Sequence, residues 1–516
     1  MMKRILIIGA GFGGLATAAE LSSEGFEVTV LEAHTYPGGS AGTFFHKGYR
    51  FDAGATLAGG FAEGGIMDDI ARRFDIDWGA QPTLKAMQVH LPDNLQVTRW
   101  TDKDLWREER IDRFGLGGES FWDWQENTAD ALWAFAKRLP SWPPQAPGDV
   151  ANLISTGNNW YQDISGPKRW SKILNLSRDA FRPVAAHVPQ DLDEMRLFLD
   201  AQLLISAQTT SQSANALYGA AALDLARQGV AHIPGGMGTL AEKLVQVISS
   251  NGGQVHFRQQ VLKVREDKEG YFQVETKRKD IFHADAIVFN LPPWNILSLL
   301  DGAVPSRLRR MSSRPRDGWG AFMAYLGLDA HGLNEDMALH HQVIRRSPLG
   351  EGNSIFMSLS PAWDESRAPA GKRALTISTH TALEPWWDLF EHDQPAYEDR
   401  KAEYLEQLLA GARKVLPDIK ERIELSLPGT PVTFQRFTRR AWGWVGGFPQ
   451  TNLLRSWGPR LAPRMWIVGD AIFPGQSVPA VMLGGLRVSR GIIESTSSET
   501  KGALQAFKQP VKLSTQ

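Results

Sequence analysis

The sequence has no cysteine among its 516 residues. That absence excludes disulfides, thiolate nucleophiles, iron–sulfur clusters and cysteine-held zinc, and it is compatible with a reducing compartment. Net charge is almost absent as well: 56 Lys and Arg stand against 57 Asp and Glu. Such a balance gives no electrostatic reason to expect a nucleic-acid partner. No stretch is long and uniformly apolar enough to span a bilayer. The opening Met1-Met2-Lys3-Arg4 and "ILIIGAGFGGLATAA" imitate a secretory signal. However, glycine interrupts the apolar run after Ile8, too early for the core of such a signal. No internal repeat is visible, and no metal site is expected. What remains is an ordinary globular composition, 42% hydrophobic and 22% charged, in a chain long enough for two or three domains.

The first residues carry the clearest pattern. "KRILIIGAGFGGLATAAELSSEGFEVTVLEA" reads as strand, glycine turn, helix and strand. The aliphatic run Ile5 to Ile8 suits a parallel strand buried on both faces. Gly9, Gly11 and Gly14 form G-x-G-x-x-G ahead of a helix through Leu15 to Leu21. In this context Gly9 permits the tight turn, Gly11 lets backbone approach a pyrophosphate, and Gly14 lets helix and strand pack closely. Glu32 closes the second strand, where a carboxylate can accept hydrogen bonds from both ribose hydroxyls. The alternative, a purely structural glycine turn, explains neither the helix start nor Glu32.

A second glycine-rich piece, "HTYPGGSAGTFFHKGYRFDAGAT", follows at once with Gly38, Gly39, Gly42 and Gly54. A flavin dinucleotide, longer than a nicotinamide one, has use for that extra exposed backbone; a glycine loop with a hairpin is the plainer reading. More than four hundred residues later, "MWIVGDAIFPGQSVPAVMLGG" reads as a last strand of the same sheet, Met465 to Val468. It carries Asp470 to the carboxyl end, where open α/β sheets bind ligands. There Asp470 can accept a hydrogen bond from a polyol linker. Amides around Val478 to Val481 can face the electron-rich edge of a flavin. Between them, "VAHIPGGMGTLAEKLVQVISSNGGQVHFRQQVLKV" reads as glycine turn, helix Thr239 to Ser249 and strand, with Val261 near the adenine. A buried strand follows at Ala286 to Asn290.

Residues 86 to 225 differ in character. They hold eight of the chain's 18 tryptophans, Trp100, Trp106, Trp122, Trp124, Trp133, Trp142, Trp160 and Trp170, among helical stretches. These rings either build a helical core or line a wide apolar cavity or a lipid-facing surface. Residues 300 to 435 read as mixed strands, "MALHHQVIRR", "NSIFMSLSPAW" and "RALTISTHT", with an amphipathic helix in "AYEDRKAEYLEQLLAGARKVLP". From residue 496 the tail is polar and reads as flexible.

"IIGAGFGGLATAAEL", "EAHTYPGGSAGTF", "YRFDAGAT" and "WIVGDAIFPGQSVPAVMLGG" resemble the bacterial carotenoid desaturase and isomerase group. That group is related to phytoene desaturase within the amine-oxidase-like flavoprotein superfamily. The resemblance runs from residue 1 to about 495, and "DAQLLISAQTTSQSANALYGAAAL" looks most like the C-3',4' desaturases. It implies an α/β fold with a Rossmann-like FAD-binding domain assembled from residues 1–85, 226–299 and 436–495. A mixed α+β substrate domain with a helical insertion would comprise 86–225 and 300–435, leaving 496–516 as a flexible tail. FAD is the implied cofactor, carried on Gly9, Gly11, Gly14, Glu32, Gly39, Val261, Asp470 and the amides near Val478. Phe12, Gly13, Ala33, Ser40, Ala41, Gly54, Gly469 and Pro479 complete the expected cofactor contacts. Ser40 departs from the pattern, since many phytoene desaturases have a basic residue there; the phosphate contact and the phytoene-desaturase subgroup are both weakened.

The implied reaction is dehydrogenation of a carotene or a hydroxylated or methoxylated carotenoid, best at C-3',4', by hydride transfer to flavin N5. Oxygen or a quinone would then reoxidise the flavin. Cis-trans isomerisation by reduced FAD uses the same residues. An amine or amino-acid oxidase and a non-catalytic prenyl-binding chaperone are further alternatives. No single acid or base stands out; Asp200, His232, Trp442 and Trp444 are candidates that also have structural explanations. A bilayer-dissolved substrate implies peripheral contact with the inner face of the membrane from the cytoplasm. "NILSLLDGAVPSRLRRMSSRPRDGW", with Arg307, Arg309, Arg310, Arg314 and Arg316, pairs apolar and basic residues as such contact requires.

Overall fold

The computed structural model describes residues 3–163, 169–302, 304–311 and 318–508. Its first sheet has six strands in the order Gln254–His256, Glu27–Leu31, Arg4–Ile8, Ala286–Phe289, Met465–Ile467 and Arg460–Ala462. All pair in parallel except the last, an antiparallel edge that the sequence reading did not anticipate. Ile5 to Ile8 are buried, as a strand covered on both faces requires. The helices Phe12–Ser23, Gly238–Ser250 and Val478–Lys508 pack on this sheet or on one another. The last of these helices runs on into the segment read as a tail, its backbone continuing to Lys508.

A second, seven-stranded sheet has the order Ile423–Gly429, Trp319–Asp329, Lys372–Ala382, Ser354–Leu359, His340–Ile344, Lys85–His90 and Gln96–Trp100. In the strand Trp319–Asp329, period-two alternation decides the layering. Phe322, Ala324 and Leu326 join the core beneath the helices Glu384–His392 and Gln394–Ala412. Ala321, Met323 and Tyr325 point the other way, into a cavity.

Helices between residues 103 and 222 form the third part. Here the tryptophans resolve in favour of packing. Trp106 meets Trp122 edge-on at 5.1 Å and stacks near Phe198 at 6.0 Å, and all three are buried. No tryptophan borders the large cavity among the described residues; its aromatic lining comes from phenylalanine and tyrosine, among them Phe44, Tyr325, Phe356 and Phe434. Offset and edge-on ring contacts hold helices together, which leaves these indoles no free face. The Trp170 side chain, with Arg307, Arg310, Arg314 and Arg316, lies outside the described residues; Arg309 is exposed. Among the described residues no helix is long and apolar enough to cross a membrane.

Four histidines sit in the second sheet, with His90, His340 and His341 buried and His380 half-buried beside the cavity. Desolvation pushes His340 and His341 down to about 3 and His380 down to about 4, so the folded protein holds them neutral. In the unfolded chain they return to about 6.5. Between those limits the unfolded state binds protons that the folded state does not, and stability falls as pH drops. The unfolding free energy, read by denaturant titration, should decline steadily from about pH 6.5 toward pH 4, by at most ~1.4 kcal/mol per pH unit for each histidine. A flat profile would contradict the burial of neutral imidazoles.

Candidate cofactor and substrate cavity

A cavity of about 1480 Å³ lies between the two sheets, larger than the usual pocket for one small molecule. One end is built by the glycine turn. Gly9 has φ 101°, a left-handed backbone that favours glycine. A Cβ on Gly14 would stand 2.4 Å from the Gly9 carbonyl oxygen, so only glycine lets the helix start against the strand. Gly11 precedes that helix with no side-chain cap, and amides of a first helical turn have no intrahelical acceptor. The turn is held by Asn290, whose side-chain amide donates to the Gly9 carbonyl at 3.2 Å.

Glu32 stands beside this turn. One carboxylate oxygen accepts from the Ala10 amide and the other from the His34 amide, each at 2.7 Å. Each oxygen therefore keeps a lone pair for another donor. Burial raises the Glu32 pKa, while the His34, Ala10 and Ala33 amides oppose the rise.

Gly9, Gly11, Phe12, Glu32, Ala33, Gly39, Ser40, Ala41, Gly54, Val261, Gly469, Asp470 and Val478 all border the cavity. Gly13, Gly14 and Pro479 do not. Gly13 lies under the C-terminal segment, where a Cβ would come within 3.1 Å of the Gly469 nitrogen and of Val481. Pro479 packs beneath Gly60. The amides expected near Val478 are mostly engaged already. Ala480 donates to Ser477 Oγ at 3.3 Å, Val481 donates to the Ser477 carbonyl at 2.9 Å, and proline has no N–H. Only the Val478 amide is left to serve the cavity.

The four candidate catalytic residues lie away from the cavity. His232 Nε2 meets Asp364 at 2.7 Å, and Asp200 accepts from the Ser211 amide at 2.6 Å. Trp444 Nε1 donates to the Gly447 carbonyl, while the Trp442 carbonyl accepts from Trp387 Nε1. Each is occupied in holding local structure.

The sequence reading missed several residues that do border the cavity. Arg440 pairs with Asp470 at 3.0 Å and donates to the carbonyls of Trp444 and Gly446. Asp470 is therefore not a lone carboxylate. His380 Nε2 lies 3.3 Å from Gln208 Nε2 on the opposite wall. The "RRAW" and "STHT" contexts contain no spacing signal for either arrangement, since each depends on a contact between distant segments.

The residues present fit a flavin dinucleotide. A turn that a Cβ would obstruct stands at a helix start, where an anion binds, and Glu32 retains acceptor capacity for a ribose. Replacing Gly14 by Val should prevent assembly of this end, giving little soluble protein. Glu32→Ala should fold but retain several-fold less flavin, read from absorbance near 450 nm after denaturation; full retention would remove Glu32 from the cofactor site.

Residues 12–493 match the family described as "Flavin containing amine oxidoreductase". Prolycopene isomerase 1 of an Oncidium hybrid cultivar is 24% identical, across 96% of this chain and 84% of that protein. A neurosporene-forming phytoene desaturase of Cereibacter sphaeroides is also 24% identical, across 93% of this chain and 92% of its own. Among solved structures, wild-type putrescine oxidase bound to putrescine superposes with a TM-score of 0.59 at 16% identity, covering 96% of this chain and 99% of that one. That likeness concerns the fold, since one fold hosts many reactions. With a match spanning nearly its whole length and a glycine cradle built from both ends, the chain belongs to the flavin-containing amine oxidoreductase family, and FAD is its cofactor.

Proposed function

We propose that this protein is an FAD-dependent carotenoid desaturase, with the C-3',4' bond of a carotene or oxygenated carotenoid as its target. The observation that carries this reading is the chemistry of the cavity beyond the cofactor cradle. Leu57, Met87, Leu204, Leu223, Met323 and Phe356 are among its walls. Among the described residues the only carboxylates bordering the whole cavity are Glu32 and Asp470, both in the cofactor cradle. An ammonium substrate would find no counter-charge on the far walls, whereas a hydrocarbon needs none. This weighs against an amine or amino-acid oxidase despite the family name. A chaperone without cofactor has no need of the glycine cradle.

Bound FAD supplies the two-electron acceptor that dehydrogenation requires, with oxygen or a quinone reoxidising it. The chain's own part is to hold the polyene straight, exclude water and accept a proton. His380 is the neutral imidazole on the far wall, with its pKa pushed down to about 4 by burial. Such a weak base suits a proton that leaves a carbon beside a developing cation. Isomerisation is the second reading, favoured by the prolycopene isomerases matched over most of the chain.

A polyene dissolved in lipid implies peripheral contact with the cytoplasmic face of a membrane. Val150, Ile154, Leu174 and Phe181 are exposed on or just after the helices Pro147–Asp163 and Arg169–Asp179. Exposed apolar side chains of this kind can enter a headgroup layer.

Expression in a carotenoid-producing bacterial host should shift the accumulated pigment to a longer-wavelength, lower-mass product. An unchanged mass with altered retention would favour isomerisation, and no pigment change with any precursor would reject both. Cosedimentation with anionic liposomes should fall several-fold when Ile154 and Phe181 are both replaced by Ser. Equal binding by that variant would move the membrane contact elsewhere.

A further inference from the structure

Arg99 is 5% exposed and borders the cavity on the strand Gln96–Trp100 of the second sheet. Among the described residues no carboxylate lies within ion-pair distance of it. Its guanidinium stands over the Trp106 ring at 4.0 Å, and one nitrogen donates to the Trp100 carbonyl at 3.2 Å. The carboxylates that act on it at longer range are Asp224 and Glu126. Asp224 is held by Arg227 at 2.6 and 2.9 Å and by Gln228 at 2.7 Å, and Glu126 by Arg110 at 2.8 Å. Burial depresses the Arg99 pKa to about 9, which leaves the group charged at neutral pH. A guanidinium has five N–H donors in a planar fork, and most of them have no acceptor among the described residues.

Ala86, Met87, Leu223, Ala226 and Val230 border the same cavity. A buried, unpaired cation among apolar walls is costly unless something compensates it. It also repels ammonium, which agrees with the lack of carboxylates on these walls. The group that completes such a site is a planar anion at the end of an apolar chain, held by two parallel N–H bonds.

We infer that the cavity takes a long apolar substrate carrying a terminal carboxylate, with Arg99 as the specificity residue that binds it. This rests on the carotenoid reading and narrows it, from a carotene or any oxygenated carotenoid to a polyene that ends in a carboxylate. Neutral oxygens do not cancel the charge. The inference therefore predicts discrimination between an acid and its alcohol, beyond a general taste for oxygenated ends.

The test uses FAD-loaded protein in detergent, with all-trans-retinoic acid and all-trans-retinol as probes of equal length, read by quenching of tryptophan emission. The wild type should bind the acid at least about 10-fold more tightly, the scale of a charge-assisted pair. Arg99→Met should abolish that preference while retinol binding stays unchanged, and Arg99→Lys should keep part of it. Melting temperature and flavin content establish that each variant folds; if Arg99→Met does not, the wild-type comparison and Arg99→Lys decide. Equal wild-type affinity for acid and alcohol, or a preference that survives in Arg99→Met, would overturn the carboxylate site. If pigment conversion persisted in that case, the carotenoid reading would stand without it. Failure of both probes to bind, with no pigment conversion, would remove both.

Discussion

The whole arrangement depends on backbone meeting backbone where the first helix crosses the last long one. A Cβ on Gly485 would stand 2.7 Å from the Gly13 carbonyl oxygen, so neither helix could come this close with a larger residue. Thr17 Oγ1 reaches the Gly485 carbonyl at 3.2 Å, and Ser489 Oγ reaches the Thr17 carbonyl at 3.3 Å. These contacts join residues 468 and 472 positions apart. They dock the C-terminal segment on the strand-turn-helix that opens the chain, and so bring Asp470 and Val478 to the cavity that Gly11 and Glu32 border. Closing so long a loop costs entropy only logarithmically in its length, and a dry helix interface with two strand pairings opposes that cost.

A cavity between a parallel sheet and a largely antiparallel one has two chemical ends. The parallel side offers amides and a carboxylate at strand ends, the usual place for a nucleotide. The antiparallel side offers alternate side chains of continuous strands, here mostly apolar. Polar exceptions on that side are therefore informative. His380 is kept neutral by burial, while Arg99, stacked over an indole, stays charged because burial lowers its pKa only to about 9. Both sit where a bound hydrocarbon would further exclude water, and exclusion of water strengthens every interaction that remains.

Arg440 illustrates the limit of local reading. By itself the sequence presents Asp470 as a carboxylate with no partner, because its guanidinium partner lies thirty residues earlier in a Trp- and Gly-rich turn. The tryptophans are a similar case. Their density between residues 86 and 225 is plain from composition, but whether they face a cavity or one another depends on helix orientation. Trp106, Trp122 and Phe198 face one another.

What the sequence determined alone was local: the strand, glycine turn and helix at the start, Glu32 at the end of the second strand, and the buried strand at Ala286 to Asn290. These follow from backbone sterics and from periods of two and 3.6 residues, which act within a few positions. The tertiary structure decided which segments met. It paired Arg440 with Asp470, occupied His232 and Asp200 in structural bonds, consumed most amides after Ser477, and left Arg99 facing an apolar space. Such outcomes depend on distance in space, and no periodicity encodes a distance between residues hundreds of positions apart.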